Sequence, residues 1–388
     1  MNSHKLIVAL AATLFLAVAP AAADWRTTLD EARNRTVYFN AWGGSSEVNQ
    51  YLRWASEEVM RRYDIVLKHV KVSDIAQTVS VILAEKAGGR HDNGSVDMVW
   101  INGENFKAMK QAGLLYGPFT GKLPNYRLVN LRNLPLNEDF TIPVEGLEAP
   151  WGVGQLNIIY DRAKGPFPGV NSRVLLEYAQ KHVGRISYPK PPQFHGSSFL
   201  KQLLLELAPD TSPLYRPVEK SDMVQVTRPL WRYLDRLHPV AWRKGRAFPT
   251  GSAHMKQLMD DGELDIAISF NPQDAATAAR NGTLPPTVAA GAMEIGALTN
   301  CHFLAIPFNS GNKAAAEVVI NFLLSPEAQA RKADTRYWGD PTILDLERLT
   351  ERERGLFDPD FHLFAGIAEP HPSWQTALEK MWQERYGH

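Results

Sequence analysis

A two-lobed α/β fold is what this sequence predicts, each lobe a mainly parallel sheet flanked by helices. Three observations carry the expectation. Strand and helix patterns alternate from Thr36 to Gly113, a second alternating block starts near Ser172, and the 388 residues are about twice a typical domain.

The first block is the more regular. Thr36 to Asn40 reads as a strand, and Gly43-Gly44-Ser45-Ser46 opens a helix to about Tyr63. The apolar positions Val48, Tyr51, Leu52, Ala55 and Val59 recur at helical three-four spacing. Ile65 to Val72 is the second strand. Ser73 or Asp74 caps a helix with Ile75, Val79, Ile82 and Leu83 facing inward, stopped by Gly88-Gly89. Val96 to Ile101 is a third strand, and a short helix ends at Gly113. This order favours parallel pairing with helices on both faces.

A Pro- and Asn-rich stretch, Gly117 to Ala149, interrupts the pattern before an extended segment, Trp151 to Asp161. The second block then offers a helix near Ser172 to His182, a strand Arg185 to Ser187, and helices Ser197 to Leu207 and Val224 to Leu237. Ser252 caps a further helix closed by Gly262. Leu264 to Phe270 and Cys301 to Ile306 read as strands, and Lys313 to Leu324 as a helix. Ser325-Pro326-Glu327 has the chemistry of a helix start: an N-cap hydroxyl, a proline at the first position and an acid at the positive end.

Composition narrows the function. Lys and Arg total 42 and so do Asp and Glu, a balance that argues against a polyanionic partner such as nucleic acid. Lys5, the apolar run Leu6 to Val18 and Ala21-Ala22-Ala23 before Asp24 have the form of a cleaved secretory signal peptide, an uncleaved anchor being the alternative. The run is too short to span a bilayer. The expected product is a free periplasmic protein beginning at Asp24, with no cysteine behind the signal to carry a lipid. The sole cysteine, Cys301, lies in an apolar stretch and reads as a buried, inert thiol rather than a nucleophile.

Two runs now bear on kinship. Gly262-Glu263-Leu264-Asp265-Ile266-Ala267 enters the strong strand of the second block, and Asn321-Phe322-Leu323-Leu324-Ser325-Pro326-Glu327-Ala328-Gln329 spans two helices near the C-terminus. In this order behind a signal, the chain resembles the extracellular family 1 solute-binding proteins of ABC importers, most of all the YnjB-type members. The resemblance implies a type II-like periplasmic-binding-protein fold, with solute held between lobes joined by crossing hinge strands. It places the crossings near Trp151 to Tyr160 and near Ala297 to Ile306. Lobe 1 would be 24–156 and 299–388 with the C-terminal helices, and lobe 2 would be 157–298. It also implies hinge closure on a small-molecule solute, delivery to permease subunits in the inner membrane, no cofactor, no catalysis and a monomer.

Candidate ligand contacts follow from a general rule: in open α/β sheets ligands collect beyond the carboxyl ends of strands, near helix N-termini. The rule selects Trp42, Gly44, Ser45 and Ser46 after the first strand, and Asn102, Glu104 and Asn105 after the third. Trp151 precedes the proposed crossing. From the other lobe come His195, Ser197 and Ser198, Ser252, and Asn271 at the end of the strong strand. Trp338 reads as a residue of the cleft rim. For each, ordinary capping or core packing is the competing reading. Glycine-serine helix starts suit a phosphate, sulfate or carboxylate. The aromatics Trp42, Trp100 and Trp151, with Glu104, suit an organic cation or heterocycle. The two sets are compatible with one zwitterionic or phosphorylated aromatic solute. The expected ligand is therefore an organic cation or a phosphorylated or zwitterionic compound, thiamine-like or polyamine-like. No paired-tyrosine motif points to iron.

Two other classes compete. A secreted hydrolase needs an activated nucleophile or a metal set, and the sequence has no G-x-S-x-G and no H-E-x-x-H; His195-Gly196-Ser197-Ser198 comes nearest. A periplasmic partner-binding protein would expose a large apolar patch, which the composition does not signal.

Overall fold

The computed structural model describes residues 20–164, 170–361 and 363–387. Residues 1–19 of the expected signal lie outside the described residues, and α1 (Pro20–Ala32) runs through the expected cleavage point. The first alternating block forms as expected: β1 (Thr36–Trp42), α2 (Ser46–Tyr63), β2 (Val66–Val72), α3 (Ile75–Ala87), β3 (Met98–Ile101) and α4 (Gly103–Gln111). β1 pairs in parallel with both β2 and β3, so the carboxyl ends of all three strands share one edge. α2 buries Val48, Tyr51, Leu52, Ala55 and Val59, the stripe its spacing announces. α3 departs from expectation. It buries Thr78 and Ile82, while Val79 is half-buried and Leu83 is 49% exposed. The helix packs along a narrower line than its apolar content suggests.

The irregular middle contains a two-residue-strand hairpin, β4 (Glu138–Asp139) and β5 (Ile142–Pro143). β6 (Glu148–Gln155) then passes through Leu156 into β7 (Asn157–Asp161). The second block comprises α5 (Ser172–Lys181), α6 (Phe194–Leu207), α7 (Met223–Leu237), α8 (Ser252–Asp260), β8 (Ile266–Ser269), α9 (Asp274–Arg280) and β9 (Val288–Gly291). β10 (Ala297–Ala305) returns to the first sheet. α10 (Lys313–Leu323), α11 (Pro326–Ala333), α12 (Glu351–Arg354), β11 (Gly366–Ala368) and α13 (Pro372–Tyr386) complete the chain. Ser325 caps α11 by accepting the N–H of Ala328 at 3.3 Å, with Pro326 at the first helical position.

The described residues form two α/β lobes, each with its own sheet and apolar core. The larger sheet runs β11-β10-β3-β1-β2, with β6 antiparallel to β10. The expectation of a mainly parallel sheet in the second lobe needs correction: β7 lies antiparallel to both β8 and β9. The expected strand Arg185–Ser187 forms no ladder; the carbonyl of Arg185 accepts the N–H of Asp265.

Two separate apolar cores form. One gathers Phe39, Tyr51, Phe106, Trp151, Phe303 and Phe322; the other gathers Ile158, Tyr188, Phe199, Trp231 and Ile268. The C-terminal segment divides between them. Residues of α10 and α11 lie in the first core, whereas Trp374, Leu378 and Trp382 of α13 are buried in the second. Assigning all the C-terminal helices to the first lobe is therefore incorrect. β11 is a third crossing segment, running parallel to β10 and carrying the chain back.

Amide side chains saturate the crossing. Gln155 donates to Thr299 Oγ1 (2.9 Å) and to the carbonyl of Phe364, and accepts the Phe364 N–H (2.9 Å). Gln202 of α6 donates to the Gly296 carbonyl and accepts the Leu298 N–H (2.7 Å). Such bonds leave the buried bend with satisfied backbone groups.

The last helix is thus expected to be structural for the second core. Trp382→Ala should lower the unfolding free energy by about 3–5 kcal/mol, whereas Leu83→Ala, on the exposed face of α3, should cost less than about 0.5 kcal/mol. Urea denaturation of the two variants checks both numbers.

Candidate functional site

The carboxyl ends of β2, β1 and β3 set out Asp74, the loop Trp42 to Ser46, and Asn102 to Asn105 along one edge of the first lobe. Trp42 is 41% exposed and meets Trp100 edge-on at 6.5 Å. A Cβ at Gly44 would lie 2.4 Å from the Trp42 ring, so only glycine lets the indole fold back over the loop. Trp100 packs in turn on Trp151 (5.1 Å) and Trp338 (5.7 Å). Trp151 is fully buried and Trp338 is 8% exposed. Both back the aromatic wall; neither offers a surface, and in this conformation Trp42 and Trp100 form its open face.

The serines of this edge are already engaged. Ser45 accepts the Val48 N–H as N-cap of α2 and donates to Glu47 (2.7 Å), and Ser46 donates to the same oxygen (3.0 Å). Burial alone would raise the Glu47 carboxyl. The bonds from Ser45, its own backbone and Ser46, with Lys256 nearby, hold it below the usual range instead. Asn102 precedes α4 without a side-chain cap, and Asn105 is half-buried. The N–H of Gly103 goes to Asp139 at 2.6 Å.

The facing edge comes from the second lobe. Gln193 caps α6: its Oε1 accepts the N–H groups of His195 (2.8 Å) and Gly196 (3.3 Å). Its amide nitrogen therefore faces His195 Nδ1, at 3.0 Å. Nδ1 must accept that hydrogen, which leaves the imidazole neutral with its own hydrogen on Nε2. Burial lowers this histidine to about 4, outweighing the attraction of Asp274. Ser197 donates to Glu379 of α13 (2.6 Å), not to His195, and Ser198 is fully buried. Ser252 begins α8 behind Gly251, and its hydroxyl, like that of Ser198, is buried without a partner among the described residues. Asn271 accepts the Gln273 N–H and reaches the Trp338 carbonyl, a contact between the second lobe and the aromatic wall.

Between these edges α4 packs against α13, which brings two carboxylates within electrostatic reach of each other. Glu104 belongs to α4 of the first lobe and Glu379 to α13 of the second. Both are half-buried. Burial raises Glu104; its own backbone N–H and Lys201 pull it down, while Glu369 and Asp74 push it up. Burial also raises Glu379, against the Ser197 hydrogen bond, and the charge of Glu104 adds to the rise. On the other flank Asn281 Nδ2 reaches Glu47 at 3.4 Å. The sequence pattern named Glu104 but missed Glu379, because nothing local marks a mid-helix glutamate near the C-terminus as facing a distant loop.

Cys301 is 3% exposed and burial pushes its thiol well up, so it has no thiolate to offer. A cavity of about 600 Å³ opens elsewhere, between Arg280 and the stretch from Ala330 to Leu363, and none of the nominated residues lines it. Among the described residues no His, Cys, Asp and Glu group has metal-site geometry, and no helix is long and apolar enough to cross a membrane.

Comparison with known proteins agrees with this architecture. Residues 54–347 match the model of the bacterial extracellular solute-binding proteins. Protein YnjB of Escherichia coli (strain K12) is 44% identical over 368 residues, covering 94% of this chain and 95% of that protein. Among solved structures, the periplasmic binding protein AfuA from Actinobacillus pleuropneumoniae, with fructose-6-phosphate bound, superimposes with a TM-score of 0.63 at 15% identity, covering 91% of this chain and 99% of that one. The spermidine/putrescine substrate-binding protein PotD from Streptococcus pneumoniae gives 0.60 at 16%, covering 90% and 99%. At such identities these two speak to the fold alone.

His195 supplies a check on the site's electrostatics. Its folded value lies below the ordinary 6.5, so its neutral form favours folding above pH 6.5 and that contribution is lost as pH falls toward about 4. Wild type should therefore lose stability relative to His195→Gln across that interval, and the ring's NMR signals should stay those of neutral imidazole until about pH 4.

Proposed function

The chain belongs to the bacterial extracellular solute-binding proteins, the binding components of ABC importers, and on that premise we propose that its cleft captures an organic cation. The observation that carries the proposal is the packing of α4 of the first lobe on α13 of the second, which puts Glu104 and Glu379, each half-buried and each raised, within electrostatic reach of each other. Like charges drawn together out of water repel, and a cation between them turns that repulsion into attraction. The solute would thus favour the closed arrangement through contacts that the open one lacks. Trp42 and Trp100 supply an aromatic face beside the site, suited to a cation's apolar or ring-bearing body.

The helix starts support the same sign of charge. At α2 the serine hydroxyls serve Glu47, at α4 the Gly103 N–H serves Asp139, and at α6 the first N–H groups serve Gln193. A phosphate or carboxylate would have to displace the protein's own acceptors there. An amine, polyamine-like or thiamine-like, meets acceptors already in place. The protein would act in the periplasm after removal of residues 1–23 and deliver its solute to the inner-membrane permease.

Thermal-shift screening of the chain from Asp24 against amines, thiamine derivatives, sugars and oxyanions tests the reading. Ligand at 100 times its Kd adds about 2.7 kcal/mol of stability. Amines should shift the melt and oxyanions should not; selective stabilisation by an oxyanion or sugar would overturn the proposal. With an amine in hand, Glu104→Gln should weaken binding tenfold or more, about 1.4 kcal/mol. Trp42→Ala should cost about 0.5–2 kcal/mol. Isothermal titration measures both. Mass spectrometry of periplasmic protein should find Asp24 as the first residue.

A further inference from the structure

Phe140 is 5% exposed yet belongs to neither apolar core. It sits at the tip of the β4–β5 hairpin, flanked in sequence by Leu136 and Val144 of the first core, so the hairpin is rooted in the first lobe. Its ring meets a cation of the second lobe instead: Lys201 Nζ of α6 lies over it, 4.5 Å from the ring centre. Lys201 is 1% exposed, on a helix whose Phe199, Leu200, Leu203 and Leu204 pack in the second core. An ammonium has three hydrogens to place. Among the described residues two oxygens hold this one, Gln375 Oε1 at 2.9 Å and Glu369 Oε2 at 2.8 Å. The Phe140 ring adds the attraction of its negative face, and it comes from the opposite lobe.

The hairpin tip carries strain where it makes this contact. Phe140 has φ 44° and Thr141 φ 65°, both in the left-handed region that residues with a side chain rarely adopt. Two successive positive φ values suit a two-residue hairpin turn, but Asn, Asp and Gly are its usual occupants. A bulky aromatic persists there only when its surroundings over-determine it, and such outliers cluster at clamps and switches. Here Lys201 holds the ring from the second lobe, and Gly103 meets it from the first. Gly103 has φ 58°, and a Cβ on it would come within 2.8 Å of the Phe140 ring. Asp139, in the same hairpin, accepts the Gly103 N–H. The hairpin and the start of α4 therefore form one unit, and Glu104 is the next residue along.

We infer that Phe140 is a positioning residue for lobe closure: its ring, seated on the buried Lys201 ammonium, clasps the first lobe to the second and biases the protein toward the closed arrangement before solute binds. Protein groups alone make the contact, so the bias is the same for a solute of any charge. The inference goes beyond the cation reading of the cleft and does not rest on it. A cation over an aromatic face attracts it more strongly away from water than at an exposed surface, and Lys201 and Phe140 are both buried. Parting the lobes takes the ring off the ammonium and leaves the strained tip with nothing to hold it. Through Gly103, closing the clasp also carries Glu104 toward α13.

Spin labels at Glu57→Cys of α2 and Arg228→Cys of α7, exposed positions on different lobes, read the closed fraction by pulsed electron resonance, Cys301 being buried. Every sample is measured without solute. Wild type should show a short-distance population, and Phe140→Leu should lower its ratio to the long-distance one by about tenfold. Phe140→Tyr, which keeps the ring, should retain the wild-type ratio. Lys201→Met/Glu369→Gln removes both charges of the buried pair together; its closed fraction should fall likewise, and adding Phe140→Leu should lower it no further. That neutral pair also supplies the test if Phe140→Leu does not fold. A wild type found only at long distance, a folded Phe140→Leu with the wild-type distribution, or a full effect of Phe140→Leu in the neutral background would overturn the inference. Amine binding plays no part in these readings, so the cation site stands or falls separately.

Discussion

The ladder between β6 and β10 is the constraint on which the rest of the molecule depends. It pairs Glu148 through Gln155 with Ala305 through Thr299, antiparallel, with one irregularity at His302 and Phe303. At one end both strands belong to the larger sheet; at the other they lead directly into β7 and out of β9. Both apolar cores are therefore hung on the same two strands, and the carboxyl ends of β1 to β3 must confront the starts of α6 and α8. The side chains of Gln155 and Gln202 close the hydrogen-bond ledger at the bend. Any movement of one lobe against the other has to pass through these bonds.

Within that frame, charge rather than shape distinguishes the cleft. The α2, α4 and α6 helix starts are each occupied by an acceptor from the protein, so those three positive ends are spent locally, whereas α8 begins behind Gly251 with no side-chain cap. Acidic groups gather around α4 and α13: Asp74, Glu104, Asp139, Glu369 and Glu379 act on one another electrostatically, with Lys201 buried against Glu369. The aromatic wall is equally a property of packing. Trp42 projects because Trp100, Trp151 and Trp338 fill the space beneath it.

Much of the fold was legible before any coordinates. The apolar stripe of α2 and the Ser325-Pro326 start of α11 are local patterns, and local patterns translate directly into elements, whereas the crossing segments were placed by the family resemblance. What the pattern could not carry was partnership at long range. α13 resembles any amphipathic helix, and nothing near Trp374 says that its partners Pro213 and Arg216 lie 161 and 158 positions earlier. β7 has the composition of a parallel strand, yet its neighbours run against it. The candidate site divides the same way. Trp42 and Glu104 are where the strand-end rule puts them. The hydroxyls of Ser45, Ser46 and Ser197 were visible as potential donors, but that they serve Glu47 and Glu379 is a fact of folded geometry. Phe140 and Lys201 carry no sequence signal at all.

The central claim is that a positive charge draws the two lobes together. Cys301 is buried, so cysteines introduced at the exposed Glu57 of α2 and Arg228 of α7 can be spin-labelled selectively, and pulsed electron resonance then reports the distance between lobes. The account predicts a narrower, shorter distance distribution with a saturating aromatic amine and none with a carboxylate of the same size. Closure by the carboxylate, with the amine silent, would contradict it.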